Sequence, residues 1–74
     1  MPVNMSQYLI VIEHEGSAWG AYAPDLPGLG VAAATREEVE RLAEEAVREH
    51  VKLLKELGQP MPEPSVQVKF VSVA

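Results

Sequence analysis

The sequence predicts an α+β domain of order βββαβ: a three-stranded antiparallel meander, one crossover helix and a final strand. Three observations carry that expectation. Two short runs rich in β-branched and aromatic residues flank a turn near the start. Residues 35–57 repeat apolar side chains every three or four positions, and residues 66–73 alternate with period two.

Residues 1–6 read as a loose lead-in. Tyr8-Leu9-Ile10-Val11-Ile12-Glu13 is a strand with both faces largely apolar, and His14-Glu15-Gly16-Ser17 supplies turn chemistry. Ala18-Trp19-Gly20-Ala21-Tyr22-Ala23 is the returning strand, in which Gly20 marks a bulge or a close backbone approach. The loop Ala23-Pro24-Asp25-Leu26-Pro27-Gly28-Leu29-Gly30 follows. Its prolines fix φ near −65°, Pro27-Gly28 suits the centre of a type II turn, and Asp25 is expected to bond backbone two residues on. Val31-Ala32-Ala33-Ala34 reads as a third strand from its position alone.

The helix is announced by Thr35 as N-cap and Glu38 three residues later, the pattern of a capping box. Val39, Leu42, Ala43, Ala46, Val47, His50, Val51, Leu54 and Leu57 form one stripe, and Gly58 with Pro60 stops it. Gln59-Pro60-Met61-Pro62-Glu63-Pro64 is a stiff connector to Val66–Val73, where Val66, Val68 and Phe70 share a face. One helix covers one sheet face and leaves the other partly open.

With 74 residues, the chain reads as a single domain over 1–74. A domain of this size buries only about 60% of its unfolded surface. Cysteine is absent, which removes disulfides and thiolate metal sites, and two distant histidines make no structural zinc site. Self-association is the remaining source of stability, so a homo-oligomer, dimer or tetramer, is expected. Six basic against eleven acidic side chains give a net charge of −5. That balance disfavours direct DNA or RNA binding and favours a basic protein partner. No apolar run reaches the length of a membrane span and no signal peptide is evident, so a cytoplasmic location is expected.

Catalysis finds little support. Glu13 and the helical glutamates could supply two legs of a two-metal site, but residues 66–73 contain no acid for a third. His14 reads as a solvated turn residue and His50 as a packing residue beside the stripe. No nucleophile elbow or phosphate-binding loop is present. No catalytic residue, metal site or cofactor is expected. On the helix, Glu37/Arg41, Glu44/Arg48 and Lys52/Glu56 are spaced for ion pairs, while Glu40, Glu44, Glu45 and Glu49 offer an acidic surface. Trp19, Tyr22, Asp25, Leu26, Pro27 and Gly28 are the candidate partner-binding residues, being aromatic anchors beside a shaped loop.

The chain resembles the HicB-like antitoxin family from Tyr8 to Ser65. The likeness rests on Y-x-x-x-I-E at Tyr8–Glu13, on Ala23-Pro24-Asp25-Leu26-Pro27-Gly28, on Thr35-Arg36-Glu37-Glu38, and on G-x-x-x-P-x-P-S at Gly58–Ser65. The D-L-P-G element is the most specific of these. Leu29 stands where the family often has cysteine, and Ala33-Ala34 replace a more polar turn. The resemblance implies a partial RNase H-like fold without the nuclease acids. It also implies a non-catalytic antitoxin that covers a small, basic, mRNA-cleaving toxin of HicA-like type. Longer members carry a C-terminal DNA-binding domain; ending at Ala74, this sequence is expected to act without one. The alternative expectation is an orphan homo-oligomeric scaffold or small-molecule-binding protein with no toxin partner.

Overall fold

The computed structural model describes residues 7–74, so the lead-in expected over 1–6 lies outside it. Strands β1 (Val11–Glu15), β2 (Ala18–Tyr22) and β3 (Gly30–Ala33) precede helix α1 (Arg36–Glu56). The sheet order is β1-β2-β3, antiparallel throughout, as a meander requires.

The first hairpin is tighter than the sequence implied. His14 and Glu15 belong to β1, opposite Trp19 and Ala18, and the loop is Gly16-Ser17 alone. Gly16 takes φ 59°, the positive value that a two-residue hairpin loop needs at its first central position. At the other end, pairing stops at Val11↔Tyr22. Continuing it would bring Pro24, which has no N–H to donate, into the ladder. Tyr8, Leu9 and Ile10 therefore precede the strand they were expected to open.

Gly20 makes no bulge. The register runs unbroken from Val11↔Tyr22 to Glu15↔Ala18 and from Trp19↔Ala33 to Tyr22↔Gly30. A Cβ built on Gly20 would lie 3.8 Å from the Val31 carbonyl oxygen, an ordinary contact, so neither expected reason for this glycine applies. Replacing Gly20 with alanine should stabilise the fold by about 0.5 kcal/mol through the unfolded chain's lost freedom. Urea unfolding checks this.

Alternation divides the sheet into two unlike faces. Ala21, Val39 and Ala43 form the core cluster, with Ile10, Ile12, Trp19, Val31 and Ala33 packed around it. These residues lie under α1, which packs over β2 and β3. Val11, Glu13, Glu15, Ala18, Gly20, Tyr22 and Ala32 fall on the opposite face, which no helix covers among the described residues.

The ends of α1 follow its sequence signals. The Glu38 N–H donates to Thr35 Oγ1 at 3.2 Å, the first of the two capping-box bonds. At the other end Gly58 N–H donates to Lys55 O at 3.1 Å and Gln59 N–H to Leu54 O at 2.9 Å, a Schellman motif. Among the described residues the ion pairs are Arg36–Glu40, Arg41–Glu45 and Arg48–Glu44, so of the expected pairs only Glu44/Arg48 forms. All three are solvent-exposed and contribute a few tenths of a kcal/mol each at most.

The expected final strand is not formed. Residues 66–73 join no ladder, and Phe70, Val71 and Val73 are exposed. Period two describes the faces a strand would present, but a strand exists only where a neighbouring backbone accepts its hydrogen bonds. No such neighbour lies beside this segment in the described residues, and no parallel crossover results.

Candidate partner-binding surface

The loop between β2 and β3 is two turns that share Leu26. Leu26 N–H donates to Ala23 O at 3.0 Å around Pro24-Asp25, and Leu29 N–H donates to Leu26 O at 3.2 Å around Pro27-Gly28. Gly28 has φ 85°, the value for the third residue of a type II turn. The expected turn is present. Leu26 itself is fully buried, one of the two largest side chains wholly removed from solvent. The double turn drives it inward as a plug while Pro27 and Gly28 remain exposed.

Asp25 does not brace its own loop. Its carboxylate accepts the Ser65 hydroxyl at 2.8 Å, the Ser65 N–H at 3.2 Å and the Val66 N–H at 3.3 Å. A short carboxylate that could close an Asx turn instead ties down a segment forty residues away. The Ser65 hydroxyl, aided by the Val66 and Ser65 N–H groups, holds the Asp25 carboxyl below the usual aspartate range, against an opposing push from partial desolvation. A depressed folded-state pKa stabilises the clamp above the ordinary value of about 3.9 and releases it as pH falls through the depressed one. The Ser65 and Val66 amide resonances should therefore shift in one titration step below pH ~3.9, a step that Asp25→Asn abolishes. Next to this clamp, Tyr8 Oη donates to Pro62 O at 2.6 Å.

The two aromatic candidates are not brought together. Trp19 points to the helix side, half-buried against the core cluster, and stacks on His14 with ring centroids 4.1 Å apart. His14 is thus a cross-strand partner of Trp19, not a turn residue. Tyr22 lies on the opposite face and is 42% exposed.

A second surface was missed at the level of motifs. A 21-residue helix is about 31 Å long, whereas five-residue strands span about 17 Å. The helix outruns the sheet, and its C-terminal half lies beside the loop instead. There Gly28, Leu29, Gly30, Ala46, Glu49, His50 and Leu53 line an open groove of about 350 Å³. Leu53 and Leu57 are more than half exposed beyond it. The signal was available: the apolar stripe is too long for the strands it was expected to cover.

Charge is distributed differently from expectation. Glu40, Glu44 and Glu45 each have an arginine partner, so the unneutralised acids of the helix among the described residues include Glu49, at the groove. Among the described residues no three His, Asp or Glu side chains gather as a metal site, and no helix is long and apolar enough to cross a membrane.

The profile of the "HicB_like antitoxin of bacterial toxin-antitoxin system" family matches residues 8–72, a span that takes in the sheet, the double turn, the helix and the clamp. The chain belongs to the HicB-like antitoxin family. An antitoxin role follows, and with it a toxin as partner. Comparison with curated proteins and with solved structures gives no significant match. Within this HicB-like domain three of the four segments that carried the sequence likeness meet in space. Tyr8, Asp25, Pro62 and Ser65 come from three separate motifs and pair Tyr8 with Pro62 and Asp25 with Ser65, both contacts falling on the 62–65 segment.

Proposed function

We propose that this HicB-like chain neutralises a small, basic, mRNA-cleaving toxin of HicA-like type by protein–protein contact, without catalysis of its own and in the cytoplasm. The family match over residues 8–72 carries this reading, because it covers nearly the whole domain. The net charge of −5 supports it, since complementary fields accelerate encounter with a basic partner and select against other proteins. DNA contact forms no part of the proposal.

The proposed contact surface combines Tyr22 on the open sheet face with the exposed Pro27-Gly28 turn. Asp25, Leu26 and Trp19 serve it from beneath: Leu26 and Trp19 by packing, Asp25 by fixing the loop against Ser65. Amphipathic aromatic side chains beside a rigid turn lose little entropy on docking. We also read the meander and helix as part of an RNase H-like unit whose fourth strand is residues 66–73, formed on assembly into a homo-oligomer.

The test is co-expression with a basic reading frame that neighbours this one. Co-purification and relief of growth inhibition are expected. A second reading, an orphan homo-oligomeric scaffold without a toxin, is favoured by the exposed apolar segment at Val68–Val73. Self-association with no toxin captured and no growth relief would decide for it.

A further inference from the structure

Residues 66–73 carry a strand pattern that the fold leaves uncovered. Phe70 is 93% exposed, Val73 89%, Val71 74% and Val68 57%. Only one acidic or basic residue, Lys69, interrupts the run. Apolar side chains exposed in such a row are rare unless another chain covers them.

The place where this arm leaves the body is fixed. The Tyr8–Pro62 hydrogen bond and the Asp25 clamp on Ser65 and Val66 hold its root. Val11 pairs with Tyr22, so Tyr8, just before β1, and Asp25, just after β2, stand at the same end of the sheet. The outer edge of β1 begins there, and among the described residues the sheet order places no strand beside it. Pro60, Pro62 and Pro64 stiffen the approach, and residues 63–74 all lie exposed beyond it. The arm's root therefore stands next to an open edge that the arm itself does not occupy.

We propose that residues 66–73 of one copy add as a strand along the outer edge of β1 of a second copy, reciprocally, closing a two-fold dimer. Two arms and two edges are then consumed, as an isologous interface requires. The side chains match on both faces. Val66, Val68 and Phe70 would extend the helix-side face beside Ile10 and Ile12, which the core cluster covers only in part. Lys69 would fall on the other face, which carries Glu13 and Glu15 of β1. Stability argues the same way. The fully buried apolar core is Ala21, Ala23, Leu26, Val39 and Ala43, three of them alanines, which is little for a free-standing domain. The proposal names the interface of the oligomer put forward above and is independent of whether a toxin binds.

Sedimentation of the whole chain, with circular dichroism as a check on folding, tests it. The wild type should sediment at twice its 8.1 kDa mass, or at four times if dimers pair. Phe70→Asp should sediment as a monomer with its helix signal kept, since that side chain supports nothing within one copy. Lys69→Glu should weaken self-association about tenfold, and Glu13→Lys with Glu15→Lys in the same chain should restore it. A monomeric wild type, an oligomer that survives Phe70→Asp, or a Lys69→Glu defect that the double reversal leaves unrepaired would overturn the proposal.

Discussion

Leu26→Ala should cost this domain about 2–5 kcal/mol, the range for truncating a buried leucine whose surroundings cannot fully collapse. Leu26 has no exposed surface, and it is held inward by a double turn with both prolines in place. That backbone cannot relax to fill the void, which puts the expected loss in the upper half of the range. A domain of 74 residues has a total stability on the order of 4–11 kcal/mol, so the substitution removes a large fraction of it. Urea unfolding followed by the fluorescence of Trp19, the single tryptophan, reads the effect at fixed protein concentration. Pro27→Ala is the control from the same motif. Pro27 is exposed, so its loss should cost less than about 1 kcal/mol, the value of a pre-set φ. Equal losses from the two substitutions would contradict the picture of Leu26 as the plug and Pro27 as its guide.

Tyr22→Ala should leave folding nearly unchanged and weaken toxin binding by about 2 kcal/mol, roughly thirty-fold in Kd. Tyr22 and Trp19 are three residues apart on one strand and therefore point to opposite sides of the sheet. Trp19 packs against the core cluster under α1, whereas Tyr22 is exposed on the side with no helix. Trp19→Ala should thus lower the melting temperature, with affinity reduced only as far as the folded fraction falls. Calorimetric titration with a HicA-like toxin, alongside melting curves, separates the two. If Tyr22→Ala melts early or binds as the wild type does, the open sheet face is not the docking side.

Most of the fold could be read locally because its signals are local. Thr35 with Glu38, the stripe from Val39 onward and the Gly58 stop all act within a turn or two of their own positions, and α1 ends where they say. The Pro27-Gly28 turn was legible for the same reason. What escaped was set by distant partners. Asp25 carries every local mark of an Asx turn, yet its hydrogen bonds go to Ser65 and Val66, a choice that no window around Asp25 contains. His14 has the local marks of turn chemistry, yet its place is set by Trp19 on the neighbouring strand. Residues 66–73 have the right alternation but no neighbouring backbone among the described residues, and a strand depends on that neighbour, not on the segment's own pattern. The candidate surface divided along similar lines: aromatic type and loop rigidity were visible, while the face each side chain takes depended on register.

The family motifs look different once the contacts are known. D-L-P-G is a buried plug, a turn and a carboxylate clamp in four residues, and the P-x-P-S segment is what the clamp holds. Their shared presence in one sequence is explained by Asp25 and Ser65 touching. The buried and clamped parts of the motif, Leu26 and Asp25, build and orient the domain, while its Pro27-Gly28 turn stays exposed.

We propose that this domain silences a basic mRNA-cleaving toxin by covering it. Titrating the purified chain into a HicA-like toxin cleaving a defined mRNA tests that claim directly. Cleavage should fall to zero at a fixed molar ratio, with a stable complex of both proteins at that ratio and no cleavage by this chain alone. Undiminished cleavage in the presence of excess chain, with no complex formed, would contradict the account.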